Sequence, residues 1–143
     1  SYTVRHDPVE GVAPEGIPIT AKVTVDPKKG LITVDVRDNP DCVPGGLNLT
    51  EACAVASCRI GVYYNLDASV PHNEGSSSRI VPLLRDGCVV GRPSHPIGTS
   101  CATSNVNEMI QSVPEIAILS PAFSGFLEGG LVSNPQLSQL QPR

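Results

Sequence analysis

Residues 19–26 read ITAKVTVD and residues 32–36 read ITVDV, and in both stretches apolar side chains alternate with polar ones. A period of two places the apolar side chains on one face of a β-strand. The intervening residues 27–30, PKKG, have the composition of a turn. The two stretches therefore predict a β-hairpin with one buried face.

A helix is predicted after the hairpin and a loop. The loop, residues 38–46, holds two prolines and a pair of glycines, so it cannot continue a strand ladder. Asn48 and Glu51 then stand three positions apart, as the N-cap and N3 residues of a capping box do. We expect a long buried helix that reaches about Asn65 and is covered on more than one side or faces a partner protein. Its apolar positions at helical spacing are Ala52, Val55, Ala56, Ile60 and Tyr63.

Shorter elements are predicted on both sides of this helix. Residues 1–17, rich in Pro, Gly and acids, predict an irregular segment. Residues 80–84 predict a strand in which Pro82 marks an edge or a bulge. Asn105 and Glu108 repeat the capping pattern and predict a short helix.

Together these elements predict an α+β fold, a mainly antiparallel twisted sheet with one long buried helix and one short helix. The expected organisation is a single domain over residues 1–120 and an extended or disordered tail over residues 121–143, where Gly, Ser, Pro, Gln and Leu follow no period.

Composition restricts the class of protein. The 143 residues are 40% apolar and 17% charged, which is typical of one soluble domain. The net charge of −4 and the absence of a basic run argue against a nucleic-acid partner. No stretch approaches the roughly 20 apolar residues of a membrane-spanning helix, so no membrane partner is expected. A chain that starts at Ser1 suggests a processed or excised piece.

The five cysteines, an odd number without a C-x-x-C pair, indicate reduced thiols in a cytoplasmic protein and argue against a structural zinc site. A Cys–His nucleophile built on His72 or His95 is a less favoured hypothesis, because most of the thiols fall in helix or strand patterns. A metal site from His6, His72 and His95 with acids such as Asp41 or Glu74 is equally disfavoured, because no ligand pair has helical or strand spacing.

Three loops carry a high density of polar residues, namely 38–48, 72–75 and 95–107. Turn and cap chemistry accounts for such residues by itself. The alternative is that the loops converge at one end of the sheet and line a pocket. No phosphate-binding glycine motif occurs, so any ATP used is expected to be held by another polypeptide.

These loops also carry a family resemblance. Residues 30–48 read GLITVDVRDNPDCVPGGLN, residues 70–75 read VPHNEG, and residues 84–87 and 91–96 read LRDG and GRPSHP. In this order, and with an Ala-rich helix after the first of them, the segments resemble the hydantoinase B family over roughly residues 19–108. That family includes B subunits of N-methylhydantoinases, the C-terminal half of 5-oxoprolinases, and related acetone and acetophenone carboxylase subunits.

The resemblance implies a segment of the B-type subunit of an ATP-dependent cyclic-amide hydrolase, which lines the reaction chamber and contacts partner subunits. It implies ATP with Mg on an A-type partner subunit, a divalent metal elsewhere in the parent subunit, and no cofactor held by this chain, which would be inactive alone. A segment of a related ATP-dependent ketone carboxylase is one alternative, and a non-catalytic assembly or binding module is another. The substrate stays open between a hydantoin, 5-oxoproline, another lactam and a ketone.

By position in the family pattern, the hydrogen-bonding groups expected nearest the substrate are Asn48, Asn73, Glu74 and Asn105, followed by Asn39 and His95. The family's usual Gly-Asn-Val-Glu pattern is kept here at Asn105 and Val106, while the acid is displaced by one position to Glu108.

Overall fold

The computed structural model describes residues 1–94. This part of the chain forms four strands and two helices. The strands are β1 (Tyr2–His6), β2 (Ile17–Asp26), β3 (Leu31–Asp35) and β4 (Ile80–Leu83), and the helices are α1 (Glu51–Tyr63) and α2 (Glu74–Ser77).

The predicted hairpin is confirmed. Strands β2 and β3 pair antiparallel with Val23 opposite Val34. The Asp26 side chain accepts the backbone N–H of Lys29, and Gly30 closes the turn with a φ of 61°. Alternate side chains of β2 are buried, namely Ile17, Ile19, Ala21 and Val23. The apolar side chains that alternate in the sequence are therefore the ones that form the inner, buried face of the sheet.

The prediction of a mainly antiparallel sheet with one long buried helix is wrong. The sheet has the order β1-β2-β3-β4, and its last pair, β3 and β4, is parallel. Two consecutive parallel strands need a crossover connection, and residues 36–79, which contain α1, supply it. The alternation of a strand reports which side chains are buried but not the direction of its neighbour, so the mixed pairing has no local signature.

Pro82 is predicted to mark an edge or a bulge, and the edge is confirmed, because β4 is the last strand of the sheet that residues 1–94 form. Ile32 and Val36 donate to the carbonyl oxygens of Arg79 and Leu83, so the odd-numbered backbone groups of β4 face β3. Pro82 consequently lacks its N–H at a position that faces away from the sheet. This arrangement costs no ladder hydrogen bond and leaves one donor fewer for edge-to-edge pairing.

The expectation of an irregular segment over residues 1–17 is wrong at residues 2–6, because β1 pairs antiparallel with β2, whereas residues 7–16 form neither a helix nor a strand of the sheet. Val4 and His6 face Ile19 and Ile17 on the inner side of the sheet. Only two inward side chains mark this strand, which is too short an alternation to recognise without its partner.

Helix α1 ends at Tyr63 rather than at about Asn65, and the face that it buries is not the face that carries the predicted apolar residues. Its N-cap is Thr50, whose side chain accepts the N–H of Cys53, and Asn48 serves a loop instead. The buried residues of the helix are Ala54, Ser57, Cys58, Gly61 and Val62, whereas Ala52 and Ala56 of the predicted apolar set are exposed. Small side chains face inward because α1 packs closely on β4, so the smallest residues rather than the largest mark the buried face.

The core lies between the inner face of the sheet and α1, closed by the chain on either side of them. Besides the strand residues, it contains Leu49, Val62, Cys88, Val89 and Val90, all fully buried. Among residues 1–94, no helix has the length and apolarity needed to cross a membrane. The predicted helix at Asn105, the domain limit at residue 120 and the predicted tail lie outside the described residues.

Candidate functional site

Asn39, at the start of the first polar loop, is buried with 6% of its surface exposed. Its Oδ1 accepts the Thr20 N–H at 2.7 Å, and its Nδ2 donates to the carbonyl oxygens of Thr20 (2.8 Å) and Val36 (2.7 Å). The β2–β3 ladder ends at the pair of Lys22 and Asp35. Beyond that pair, the side-chain amide of Asn39 hydrogen-bonds to the backbone N–H and carbonyl oxygen of Thr20, as a further residue of β3 would.

Asn48 is fully buried at the other end of the same loop. Its Oδ1 accepts the Val43 N–H at 2.9 Å, while its Nδ2 donates to the carbonyl oxygens of Val43 (2.9 Å) and Gly45 (3.1 Å). Gly45 has a φ of 90°, a region that side chains disfavour. The amide of Asn48 thus closes the Pro-Gly-Gly turn on itself.

Arg85 completes this loop from a distant part of the sequence. Its guanidinium donates to the carbonyl oxygens of Arg37 (3.1 Å) and Asn39 (2.6 Å) and to Oδ1 of Asp41 (2.7 Å). The hydrogen bond that Arg85 donates to the Asp41 carboxylate raises the pKa of Arg85. Residues 37 and 85 are 48 positions apart, so sequence spacing offers no signal for this clamp.

The second polar loop, taken together with α2 as residues 72–77, contains a helix where the sequence predicted only a loop. Asn73 is the N-cap, and its side chain accepts the N–H of Ser76 at 3.1 Å. Glu74 is the first residue of α2, and both side chains are exposed. Tyr63 at the end of α1 contacts this loop, because its hydroxyl lies 2.7 Å from Ser76 Oγ and 2.9 Å from Ser77 Oγ.

The parallel pair β3 and β4 separates the two loops. The loop with Asn39 and Asn48 follows the carboxyl end of β3, whereas Asn73 and Glu74 precede the amino end of β4. Parallel strands run in the same direction, so these segments start from opposite ends of the pair. Asn39 and Asn48 belong to one loop, Asn73 and Glu74 to the other, and His95 and Asn105 lie outside the described residues.

Three of the described thiols, those of Cys42, Cys58 and Cys88, are buried or hydrogen-bonded to the backbone. Burial raises the pKa of the Cys58 thiol to about 12 and also raises the pKa of Cys88. Cys42 donates through Sγ to the Cys88 carbonyl oxygen at 3.3 Å. The ring of His72 packs on that of Tyr63, with centroids 4.2 Å apart. Within residues 1–94, then, no cysteine contacts a histidine in the manner of a nucleophile and its base.

Two buried polar atoms in this part of the structure have no hydrogen-bond partner, His6 Nε2 and Arg59 Nε. The Nδ1 of His6 lies 2.8 Å from the Asp7 carbonyl oxygen, which can only accept, so the proton of the neutral ring sits on Nδ1. Unsatisfied buried groups are rare in native proteins and call for a partner.

In residues 1–94 no three His, Cys, Asp or Glu residues come close enough together to hold a metal ion. The residues present in this part therefore do not fit a divalent metal.

The comparisons with known proteins agree with the motif order of the loops. The family model described as Hydantoinase B/oxoprolinase matches residues 3–124. Neither a curated protein nor a solved structure matches the chain. Since the match spans all three polar loops, nearly the whole sheet and most of the sequence, the chain belongs to the hydantoinase B/oxoprolinase family.

Proposed function

We propose that this chain is a segment of the B-type subunit of an ATP-dependent cyclic-amide hydrolase of the hydantoinase or oxoprolinase kind, acting in the cytoplasm. The observation that carries the proposal is the family match over residues 3–124. The segment lines the reaction chamber and contacts partner subunits, among them an A-type subunit that binds ATP with Mg. Bound there, ATP supplies a phosphoryl group to activate the carbonyl oxygen of the ring.

Asn73 and Glu74 are the substrate-facing residues of the described part. Both are exposed. Asn73 uses its Oδ1 to cap α2, which leaves its amide nitrogen as a donor, and Glu74 offers a carboxylate acceptor. A cyclic amide presents a carbonyl acceptor beside an N–H donor, so the pair matches both groups of a lactam. A ketone has no N–H for Glu74.

Asn39 and Asn48 maintain the first polar loop, which starts from the opposite end of the β3–β4 pair, rather than contact substrate. Each amide already makes three hydrogen bonds to backbone groups. Binding a substrate would break these bonds at a cost of about 1–3 kcal/mol for each buried group left unpaired. His95 and Asn105 complete the proposed set from the chain beyond the described residues.

The experiment is ATP hydrolysis by the full-length B-type protein with its A-type partner. Hydantoin, 5-oxoproline and a ketone with bicarbonate are added separately. Lactam-stimulated hydrolysis supports cyclic-amide opening, whereas stimulation that needs a ketone and bicarbonate establishes the carboxylase alternative.

Asn73→Ala and Asn73→Ser form a matched pair for the site. Serine keeps an oxygen that can cap α2 but lacks the amide donor. We expect both variants to lose lactam-stimulated turnover about tenfold or more while the complex assembles normally. Turnover retained by the serine variant alone would mean that Asn73 only caps the helix.

The second candidate, a non-catalytic assembly module, is favoured by the outer face of α1. This face, defined here as Ala52, Val55, Ala56, Arg59 and Ile60, carries a single charge, and Ala52 and Ala56 are exposed. Loss of assembly in Asn73→Ala, with silence towards every substrate in the wild type, would establish this candidate.

A further inference from the structure

Tyr63, the last residue of α1, is connected to the second polar loop by a chain of hydroxyl groups. Its hydroxyl oxygen lies 2.7 Å from Ser76 Oγ and 2.9 Å from Ser77 Oγ. A hydroxyl group carries one hydrogen, so Tyr63 can donate to only one of the two serines and must accept from the other.

The direction of this chain follows from the groups at its inner end. Ser76 Oγ also contacts the carbonyl oxygens of Pro71 and Asn73, which can only accept, so the Ser76 hydrogen is directed to them. Tyr63 therefore donates to Ser76, and Ser77 donates to Tyr63. The second lone pair of Ser76 Oγ accepts the N–H of Asn73 at 3.2 Å, which completes the bonds of that oxygen.

The same tyrosine ring supports the start of the loop. The ring of His72 lies on it with a centroid distance of 4.2 Å and an interplanar angle of 34°. Tyr63 itself stands on a rigid base, since Val62 before it is fully buried and its helix packs on β4. One side chain thus holds residues 72, 76 and 77, which flank Asn73 and Glu74 on both sides.

We propose that Tyr63 is the positioning residue that orients Asn73 and Glu74 towards the substrate; the inference rests on the proposed function of that pair. Tyr63 touches no reacting atom. Its hydroxyl hydrogen-bonds to Ser76 and Ser77, and its ring packs against His72. Together these contacts fix the position of the loop relative to the end of α1. A side chain held in this way is orientated before the substrate binds, which lowers the entropic cost of binding.

Tyr63→Phe in the full-length complex is the test, because phenylalanine keeps the ring contact with His72 and removes only the hydroxyl. We expect the KM for the lactam to rise about fivefold while the KM for ATP stays constant. A merely structural role would lower the amount of active enzyme and leave both KM values unchanged. That result would overturn the proposal.

Ser77→Ala and Tyr64→Phe are the controls. Ser77 donates to Tyr63 from the outer end, so its removal leaves the bond from Tyr63 to Ser76 intact, and we expect a change below twofold. Tyr64 is 64% exposed and should have no effect. A Ser77→Ala effect as large as that of Tyr63→Phe would overturn the assigned direction of the chain.

Hydrogen exchange separates this inference from the proposed function. The backbone N–H groups of Ser77 and Ser78 bond to the carbonyl oxygens of Asn73 and Glu74 at 2.9 Å. In Tyr63→Phe we expect the peptide covering residues 71–78 to exchange several-fold faster, with the rest of the protein unchanged. Unchanged exchange overturns the inference. Faster exchange in Tyr63→Phe, combined with a wild-type complex whose ATP hydrolysis no lactam stimulates, would refute the proposed function. It would still support the conclusion that Tyr63 fixes the loop.

Discussion

Two loop asparagines, Asn39 and Asn73, have different physical roles in this protein. Asn39 is buried, and its amide groups pair with the backbone of β2 and with Val36. Asn73 is exposed and caps a four-residue helix. Loop asparagines in a sequence indicate hydrogen bonding to backbone, but burial decides how much stability each bond contributes.

The contrast predicts unequal costs for the same substitution. Asn39→Ala leaves backbone groups of Thr20 and Val36 without partners in a region closed to water, so we expect the free energy of unfolding to fall by about 3 kcal/mol. Asn73→Ala loses a cap and should cost about 1 kcal/mol. Urea unfolding of both variants measures the difference. Equal losses would contradict the structural role assigned to Asn39.

Cys58 gives a prediction about pH. Burial raises the pKa of its thiol from 9.0 to about 12, so the folded state keeps the proton when the unfolded state has lost it. The stability that depends on this proton is complete below pH 9 and decreases between pH 9 and 12, by about 1.4 kcal/mol per pH unit for one group.

Urea unfolding of wild type and Cys58→Ala at pH 7, 9 and 10.5 checks this linkage. The substitution removes the thiol from both states, so its cost at pH 7 should shrink as the pH rises above 9. Cys53→Ala, at a half-buried position of the same helix, is the comparison. A cost of Cys58→Ala that is the same at all three pH values would contradict the prediction.

At the scale of the element, α1 shows how an apolar pattern can select the wrong face. The larger side chains Val55 and Ile60 lie at helical spacing with Ala52 and Ala56, yet the buried face contains Ala54, Ser57, Cys58, Gly61 and Val62. Close packing on β4 requires small side chains. A pattern of apolar residues at helical spacing gives little weight to Ala, Ser and Gly, so it does not identify this face. The outer face therefore remains apolar without being core.

This assignment of faces predicts opposite responses to the same enlargement. Ala54 is fully buried, so Ala54→Leu must displace β4 or α1 and should lower the free energy of unfolding by about 1–3 kcal/mol. Ala56→Leu adds the same atoms on the exposed face and should change it by less than about 0.5 kcal/mol. Thermal unfolding of the two variants is the measurement. A large loss at Ala56 with none at Ala54 would reverse the faces.

At the scale of the whole molecule, the sheet formed by residues 1–94 ends at β1 and β4, and α1 packs on β4 with its apolar outer face directed outward. A helix face with so little charge is typical of a surface that another polypeptide covers. Under the proposed function, that polypeptide belongs to the hetero-oligomeric complex.

We predict that Ala56→Glu weakens assembly with the A-type subunit about tenfold or more without lowering the thermal stability of the B-type protein, because a charge would be buried at the contact. Lys28→Glu, in the exposed β2–β3 turn, also makes the net charge more negative and should leave assembly unchanged. Sedimentation of the coexpressed complex distinguishes the two variants. Normal assembly of Ala56→Glu would exclude this face as the contact.

The sequence by itself determined the elements whose cause is local. Alternation specifies the β2–β3 hairpin, Pro82 restricts its strand to an edge or a bulge, and the order of the loop motifs identifies the hydantoinase B/oxoprolinase family. Each of these depends on residues a few positions apart or on their order in the chain.

Only the tertiary structure decided the parallel partner of β3, the strand formed by residues 2–6, the buried face of α1 and the destination of each asparagine amide. These outcomes depend on contacts such as that between Arg85 and the Asn39 carbonyl oxygen, which join residues 46 positions apart. A periodic pattern records whether a side chain is apolar. It does not record which distant backbone group or helix surface will come to lie against it.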